Sequence, residues 1–258
     1  MLLAVDIGNT NLVFALCDGA EVRAQWRIRT DAHRSADEYA VWLLALMTRA
    51  ALSEKDIHAV IISSVVPDAN FGVKTFVRQY LNCEPQVIAS GEIDVGMPIL
   101  LDNPRELGAD RLINAYAAWT AHAQALIVID FGTATTFDVV SGKGEYLGGV
   151  IAPGINLSLE ALQHAAAKLH GIAIMHPQTV IGRTTTTAMQ SGIFYGYTGL
   201  IEGIVTRIKA ERGEAMKVIA TGGLAPLYGD ATTMIDHVDP DLTIRGLRFI
   251  HERKNHGA

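Results

Sequence analysis

Apolar runs broken by small polar residues set the frame of this chain. Leu2-Leu3-Ala4-Val5 runs into Asp6, and after Gly8-Asn9-Thr10-Asn11 the apolar pattern resumes as Leu12-Val13-Phe14-Ala15-Leu16. Two short runs around a Gly/Asn turn predict a β-hairpin. A third strand is expected from Val22 to Ile28, and the apolar spacing from Ala36 to Ala51 is that of a helix. Val60 to Val65 reads as a buried strand, Asn70 to Leu81 as a helix and Gln86 to Ile88 as a strand. The Ala-rich stretch from Arg105 to His122 predicts a helix whose first turns carry Gly108 and Asp110.

The second half repeats the opening device. Ala125-Leu126-Ile127-Val128-Ile129 runs into Asp130, and Phe131-Gly132-Thr133-Ala134 then parallels Ile7-Gly8-Asn9-Thr10. A further strand is expected over Phe137 to Val140, and the Gly-rich stretch Gly142 to Gly154 reads as a loop or hairpin. Helices are expected from Leu157 to Lys168, Thr187 to Arg212 and Asp241 to Lys254, with a strand from Met216 to Thr221 running into Gly222-Gly223. The economical interpretation is an internal duplication of domain type, divided at 1–122 and 123–258, with both loops facing one cleft. The interval between the copies is far too long for a solenoid.

With 49% apolar residues in 258, the chain can bury a core in each of two modest domains. A formal charge of −6 argues against sequence-independent nucleic-acid binding, which rests on clustered Lys and Arg. Cys17 and Cys83 stand far apart without metal-ligand spacing and read as reduced core residues. No run reaches the roughly 18 apolar residues of a membrane span, and the first residues lack a signal peptide's basic flank, so no membrane role and a cytoplasmic location are expected.

A phosphate needs backbone N–H donors that can come close, hence small residues, with a carboxylate nearby to hold Mg²⁺. Both Asp-x-Gly loops supply that combination, although either one alone would pass for a simple turn. Asp110 can accept a proton from an attacking hydroxyl, or serve as a helix cap or a partner for Arg111. Arg111 offers a planar fork for a substrate carboxylate. Gly222 and Gly223 let a backbone lie close to a ligand, or make an ordinary turn before Pro226. Nine scattered histidines, with His164 and His170 on different helix faces, suggest surface or packing roles. Trp26, Trp42 and Trp119 lie in apolar patterns and read as core or subunit contacts. Neither a GxSxG elbow nor a GxxxxGK[ST] loop is present.

Taken in order, Asp6-Ile7-Gly8-Asn9-Thr10-Asn11, Gly108-Ala109-Asp110-Arg111, Asp130-Phe131-Gly132-Thr133-Ala134-Thr135-Thr136 and Gly222-Gly223 resemble the type III pantothenate kinases of the actin, hexokinase and acetate-kinase fold superfamily. The resemblance implies an α/β protein of two ribonuclease-H-like, actin-like ATPase domains, each a mixed sheet flanked by helices, with the active site in the cleft between them. It implies ATP-dependent phosphorylation of pantothenate, the first step of coenzyme A biosynthesis, by a homodimer whose contact surface is sought on the apolar helix around Ala188 to Ile204.

Matched position by position, Asp6, Ile7, Gly8, Asn9, Thr10, Asn11, Leu12 and Val13 form the first ATP-phosphate loop, with Gly8, Asn9 and Thr10 presenting donors and Asp6 facing Mg²⁺ directly or through water. Thr133 contacts the nucleotide, and Gly222 and Gly223 lie against adenosine. By the same resemblance Asp130 would bind a monovalent cation, K⁺ or NH₄⁺, and Asp110 would be the general base. The pantothenate pocket is lined by Leu101, Gly108, Ala109, Asp110, Arg111 and Thr185, with the register among Thr184, Thr185, Thr186 and Thr187 open by a residue.

One departure is Leu101, where many relatives carry a tyrosine; loss of a hydroxyl hydrogen bond there weakens binding by about 0.5–1.5 kcal/mol. Two rivals share the fold: a sugar or acetate kinase, and a regulatory accessory protein without turnover.

Overall fold

The computed structural model describes residues 1–88, 95–165 and 171–256. They form two compact units, one of Met1–Met97, Asp102–Ala117 and Leu242–Ala258, the other of Pro98–Leu101 and Ala118–Asp241.

In the first unit, β1 (Leu2–Ile7) pairs antiparallel with β2 (Asn11–Asp18), which pairs with β3 (Glu21–Arg29). On its other side β1 runs parallel to β4 (Ala59–Ser64), which pairs with β5 (Gln86–Ile88). The strand order is β3-β2-β1-β4-β5. Alternation sends Leu3, Val5 and Ile7 to one face, where they meet α1 (Ala36–Arg49) and α2 (Asn70–Tyr80) in a core with Phe14, Tyr39, Leu43 and Phe76. Ser35 and Glu38 start α1 with a reciprocal capping box. Asp6 falls on the opposite face.

In the second unit the plan recurs. Strand β6 (Leu126–Phe131) pairs antiparallel with β7 (Ala134–Val140), which pairs with β8 (Tyr146–Pro153). Parallel to β6 lies β9 (Lys217–Gly222), followed by the short β10 (His237–Val238). The order β10-β9-β6-β7-β8 is that of the first sheet written backwards. The duplication expected from the two Asp-x-Gly loops therefore holds strand for strand.

One face of this sheet is covered by α4 (Ile155–Ala165), α6 (Ala225–Gly229) and the long α5 (Thr185–Arg212), whose Ile193, Phe194, Tyr197, Ile201 and Val205 join Ile127, Ile129, Phe137 and Val218 in the core. Gly213, at φ 63°, closes α5 in the left-handed conformation.

One departure from the expected elements has a local cause. The helix predicted from Arg105 starts later, as α3 (Ala109–His122), because Pro104–Glu106 makes a separate 3-10 turn capped by Asn103. The stretch Gly142 to Gly154, expected as a loop or hairpin, is a hairpin arm: its strand β8 pairs antiparallel with β7. The helix predicted to Lys168 is described as far as Ala165, and residues 166–168 lie outside the described residues.

The closing helix α7 (Leu242–His256) belongs with the first unit rather than with the residues before it in sequence. Its Leu242, Ile244, Leu247 and Ile250 are buried, and it lies against β1 and β4. A division at 122/123 follows chain order, whereas burial of this apolar stripe decides where the helix packs. Helix α3 crosses α7 closely at Gly246, where a Cβ would stand 2.7 Å from the Ile113 carbonyl oxygen. The Thr243 hydroxyl also donates to Asn114 Oδ1 at 2.7 Å.

Cys17 is buried and Cys83 half-buried, and neither is in a disulfide. Trp26 and Trp42 pack against the first core. No described helix is long and apolar enough to cross a membrane.

Candidate functional site

The end of β1 delivers Asp6 into a turn whose form is set by backbone bonds. Gly8 N–H donates to the Asn11 carbonyl at 3.0 Å, closing the hairpin. Thr30, just after β3, pins the turn from behind: its hydroxyl donates to the Gly8 carbonyl at 2.6 Å and its N–H to the Thr10 carbonyl at 3.0 Å. Asn9, Thr10 and Asn11 are exposed, whereas Ile7 and Leu12 are core side chains and Val13 is buried. Of the eight matched residues, Ile7 and Leu12 therefore have only backbone to offer a ligand. Gly8 uses its N–H inside the turn.

Register lines up a functional row across the first sheet. Arg27 on β3 opposes Val13 on β2, Val13 opposes Asp6, and Asp6 opposes Ser63 on β4. Laterally paired residues share a face. Burial of the Asp6 carboxyl, followed by the negative charge of Asp110, pushes its pKa up from 3.8 to about 7. Ser63 and Arg27 pull the other way. The Ser63 hydroxyl is fully buried and lies beside Asp6 without the geometry of a full hydrogen bond.

Asp110 stands in the first turn of α3. Its Oδ1 accepts the Arg111 backbone N–H at 2.8 Å, which fixes the carboxylate near the helix start. A Cβ on Gly108 would lie 2.6 Å from that same Oδ1, so the Gly-Ala-Asp-Arg order has a steric reason: glycine makes room for the carboxylate two residues on. Ala109 is buried, and Asp110 and Arg111 are half-buried. Asp110 thus acts as a local cap and also sits within electrostatic reach of Asp6. Two carboxyls within electrostatic reach of each other could supply hard oxygen ligands for a divalent cation. Among the described residues no group of three or more His, Cys, Asp or Glu could hold a metal, so the remaining ligands of such an ion would be phosphate oxygens and water.

The second unit carries the counterpart. Asp130 ends β6 opposite Thr136 on β7 and Thr221 on β9, as Asp6 lies opposite Val13 and Ser63. Gly132 N–H donates to the Ala134 carbonyl at 3.0 Å, and Thr133 is exposed at the tip of the turn. Gly222 ends β9 at φ 92°, where a Cβ would stand 2.6 Å from Asp130 Oδ1 and 2.7 Å from the Phe131 carbonyl oxygen. Only glycine fits there without displacing the Asp130 loop. Gly223 is exposed before α6. The Asp130 carboxylate and nearby backbone carbonyls make an oxygen-rich setting suited to a monovalent cation.

Leu101 belongs to the segment Pro98–Leu101, which docks on β8: Leu100 N–H donates to the Tyr146 carbonyl and Tyr146 N–H to the Pro98 carbonyl, each at 2.8 Å. Thr184 caps α5 through a reciprocal bond with Thr187, which occupies both hydroxyls. Thr185 lines an open hollow of about 750 Å³ together with Thr184, Arg183, Leu162, Met189 and Ile193.

Sequence reasoning missed Thr30 and Ser63. Ser63 left a signal, a serine pair inside the apolar run of β4, and Thr30 left none. His164 is exposed on α4, while His170 lies outside the described residues.

Residues 2–207 match the family model of type III pantothenate kinases. A type III pantothenate kinase from Paramagnetospirillum magneticum is 59% identical over 99% of this chain and 98% of its own. One from Rhodospirillum rubrum is 56% identical over 98% of each chain. Solved structures with the same fold include a protein from Campylobacter jejuni described as a Baf family transcriptional activator (TM-score 0.59, 20% identity, covering 98% of this chain and 99% of that one). Another, from Sinorhizobium meliloti, is described as a 2-dehydro-3-deoxygalactonokinase (TM-score 0.59, 14% identity, covering 98% and 96%). These two likenesses speak to the fold alone. With two matched Asp-x-Gly turns, a Gly-Ala-Asp-Arg helix start and near-complete alignment to its relatives, the chain belongs to the type III pantothenate kinase family.

Proposed function

We propose that this chain transfers the γ-phosphate of ATP to the primary hydroxyl of pantothenate, the first step of coenzyme A biosynthesis, with Asp110 as the general base. The observation that carries the assignment of the base is the Asp110 carboxylate, anchored by the Arg111 N–H and close enough to Asp6 to act on its charge. A carboxylate held at a helix start can take a hydroxyl proton as the oxygen attacks phosphorus in line. No covalent phosphoenzyme is required.

The other residues position the reactants. Asn9 and Thr10 present the first turn to the ATP phosphates, Thr133 contacts the nucleotide from the second turn, and Gly222 and Gly223 lie along adenosine. Arg111 pairs with the pantothenate carboxylate, and Thr185 contacts the same substrate, its neighbours Thr184 and Thr187 being engaged in the cap. Leu101 contributes an apolar wall. Mg²⁺ held at Asp6 and K⁺ or NH₄⁺ held at Asp130 offset charge on the transferring phosphoryl group when bound.

A second copy of the chain is the proposed partner, resting on the exposed edge of α5 formed by Ala188, Gly192, Gly196 and Gly199, over which the last three glycines have open space. No nucleic acid or membrane enters this reading, and it fits a cytoplasmic location.

The test is purified protein with ATP, Mg²⁺ and K⁺ against a panel of pantothenate, sugars and acetate. Pantothenate-dependent ADP release is expected. Turnover only with a sugar or acetate, or none with any acceptor, would overturn the reading. Sedimentation showing monomer alone at micromolar concentration would remove the dimer.

A further inference from the structure

The corner between β8 and α4 sits directly behind the second phosphate turn. Gly154 N–H donates to the Thr133 carbonyl at 3.1 Å. The approach is so close that a Cβ on Gly154 would stand 2.1 Å from that oxygen and 2.7 Å from the Gly132 carbonyl oxygen. The corner is itself held from the far side. The phenol of Tyr197, in the middle of α5, donates to the Pro153 carbonyl at 3.0 Å and the Gly154 carbonyl at 3.2 Å, and shares a short hydrogen bond with the Ser158 hydroxyl. Its ring is buried in the core of the second unit. One side-chain oxygen thus fixes both carbonyls of the dipeptide whose N–H fixes Thr133.

From this chain of contacts we infer that Tyr197 is a positioning residue for the second phosphate turn, acting through Pro153 and Gly154 without touching a ligand. The inference rests on the nucleotide role proposed for Thr133. A loop that binds phosphate through backbone donors gains from being held in place before the ligand arrives, because ordering it during binding would cost affinity. Gly154 has no side chain to transmit force, so rigidity at this corner comes from the hydrogen bonds at its two ends. Core packing alone would need the Tyr197 ring but not its hydroxyl.

Tyr197→Phe separates the two, since it keeps the ring and removes the oxygen. ATP affinity, measured by calorimetry without pantothenate, is expected to fall about three- to tenfold, the range set by losing one well-formed hydrogen-bond group. The KM for ATP should rise with it, while the KM for pantothenate stays within about twofold of wild type. Unchanged ATP affinity in the folded variant would overturn the inference, as would equal rises in both KM values, which a general loosening produces. Should Tyr197→Phe fail to fold, the half-exposed Ser158 offers Ser158→Ala: a fall of about twofold in ATP affinity supports the strut and an unchanged affinity overturns it. Because binding is read without the acceptor, a wild type that binds ATP yet leaves pantothenate untouched would defeat the substrate reading separately.

Discussion

Asp110 helps to hold a proton on Asp6. Burial is the larger cause and the Asp110 charge the second, and together they carry the Asp6 pKa from 3.8 to about 7. The folded chain therefore retains, between about pH 4 and 7, a proton that the unfolded chain has released. By linkage, this contribution to stability is fully present below about pH 4 and lost as pH rises through about 7. Denaturant unfolding of metal-free protein from pH 4.5 to 8 should show a steeper decline for wild type than for Asp6→Asn. Parallel curves would contradict the shift.

Asp110→Asn keeps the shape of the side chain and removes its basicity. Turnover should drop by a factor on the order of 10² or more while ATP binding stays near wild type. Replacing the charge should also lower the Asp6 pKa, visible in carboxyl-carbon NMR titration, because one of its two raising causes disappears. Phosphopantothenate formation at the normal rate would rule Asp110 out as the base.

Both sheets were legible in the sequence because each Asp-x-Gly turn follows a strand of five or so apolar residues, a pattern in which burial and turn chemistry agree. Asp6 and Asp130 do occupy equivalent places, each at the end of a central strand with a parallel neighbour bearing Ser63 or Thr221. Less legible was anything set by packing at a distance. The closing helix joined the first unit through Leu242, Ile244, Leu247 and Ile250, whose spacing announces a helix but not its host sheet. Thr30 bonds to the first Asp-x-Gly turn and Tyr197 to the Pro153-Gly154 corner behind the second, and a lone threonine or tyrosine carries no local signature of such contacts. Gly108 was readable as part of a motif, but its physical reason, space for the Asp110 carboxylate, needed coordinates.

Gly222→Ala tests the crowding beneath the Asp130 turn. At φ 92° an added methyl is strained, and it would press on Asp130 Oδ1 and on the Phe131 backbone at the same time. Strain of this kind costs about 1–3 kcal/mol, so the urea midpoint should fall. The KM for ATP and the K⁺ concentration giving half-maximal rate should both rise, since Gly222 itself is assigned to adenosine and the displaced Asp130 to the monovalent cation. A variant with the wild-type midpoint and wild-type K⁺ response would show that the turn yields without consequence.

Leu101→Tyr asks whether the hydroxyl missing from this chain can be put back. The residue is half-buried, its Cδ2 resting 3.5 Å from where a Cβ would project on Gly148, and the segment before it is fixed to β8 by the paired bonds between Tyr146 and residues 98 and 100. A rigid base and partial exposure let a larger ring lean outward without moving the backbone. One regained hydrogen bond is worth about 0.5–1.5 kcal/mol, so the KM for pantothenate should fall about two- to tenfold. The KM for ATP should not move, because Leu101 is assigned to the acceptor alone. Steady-state kinetics with each substrate varied in turn separates the outcomes: an unchanged or higher KM for pantothenate would mean that position 101 makes no productive contact with the acceptor, and an equal shift for ATP would point to altered packing of β8.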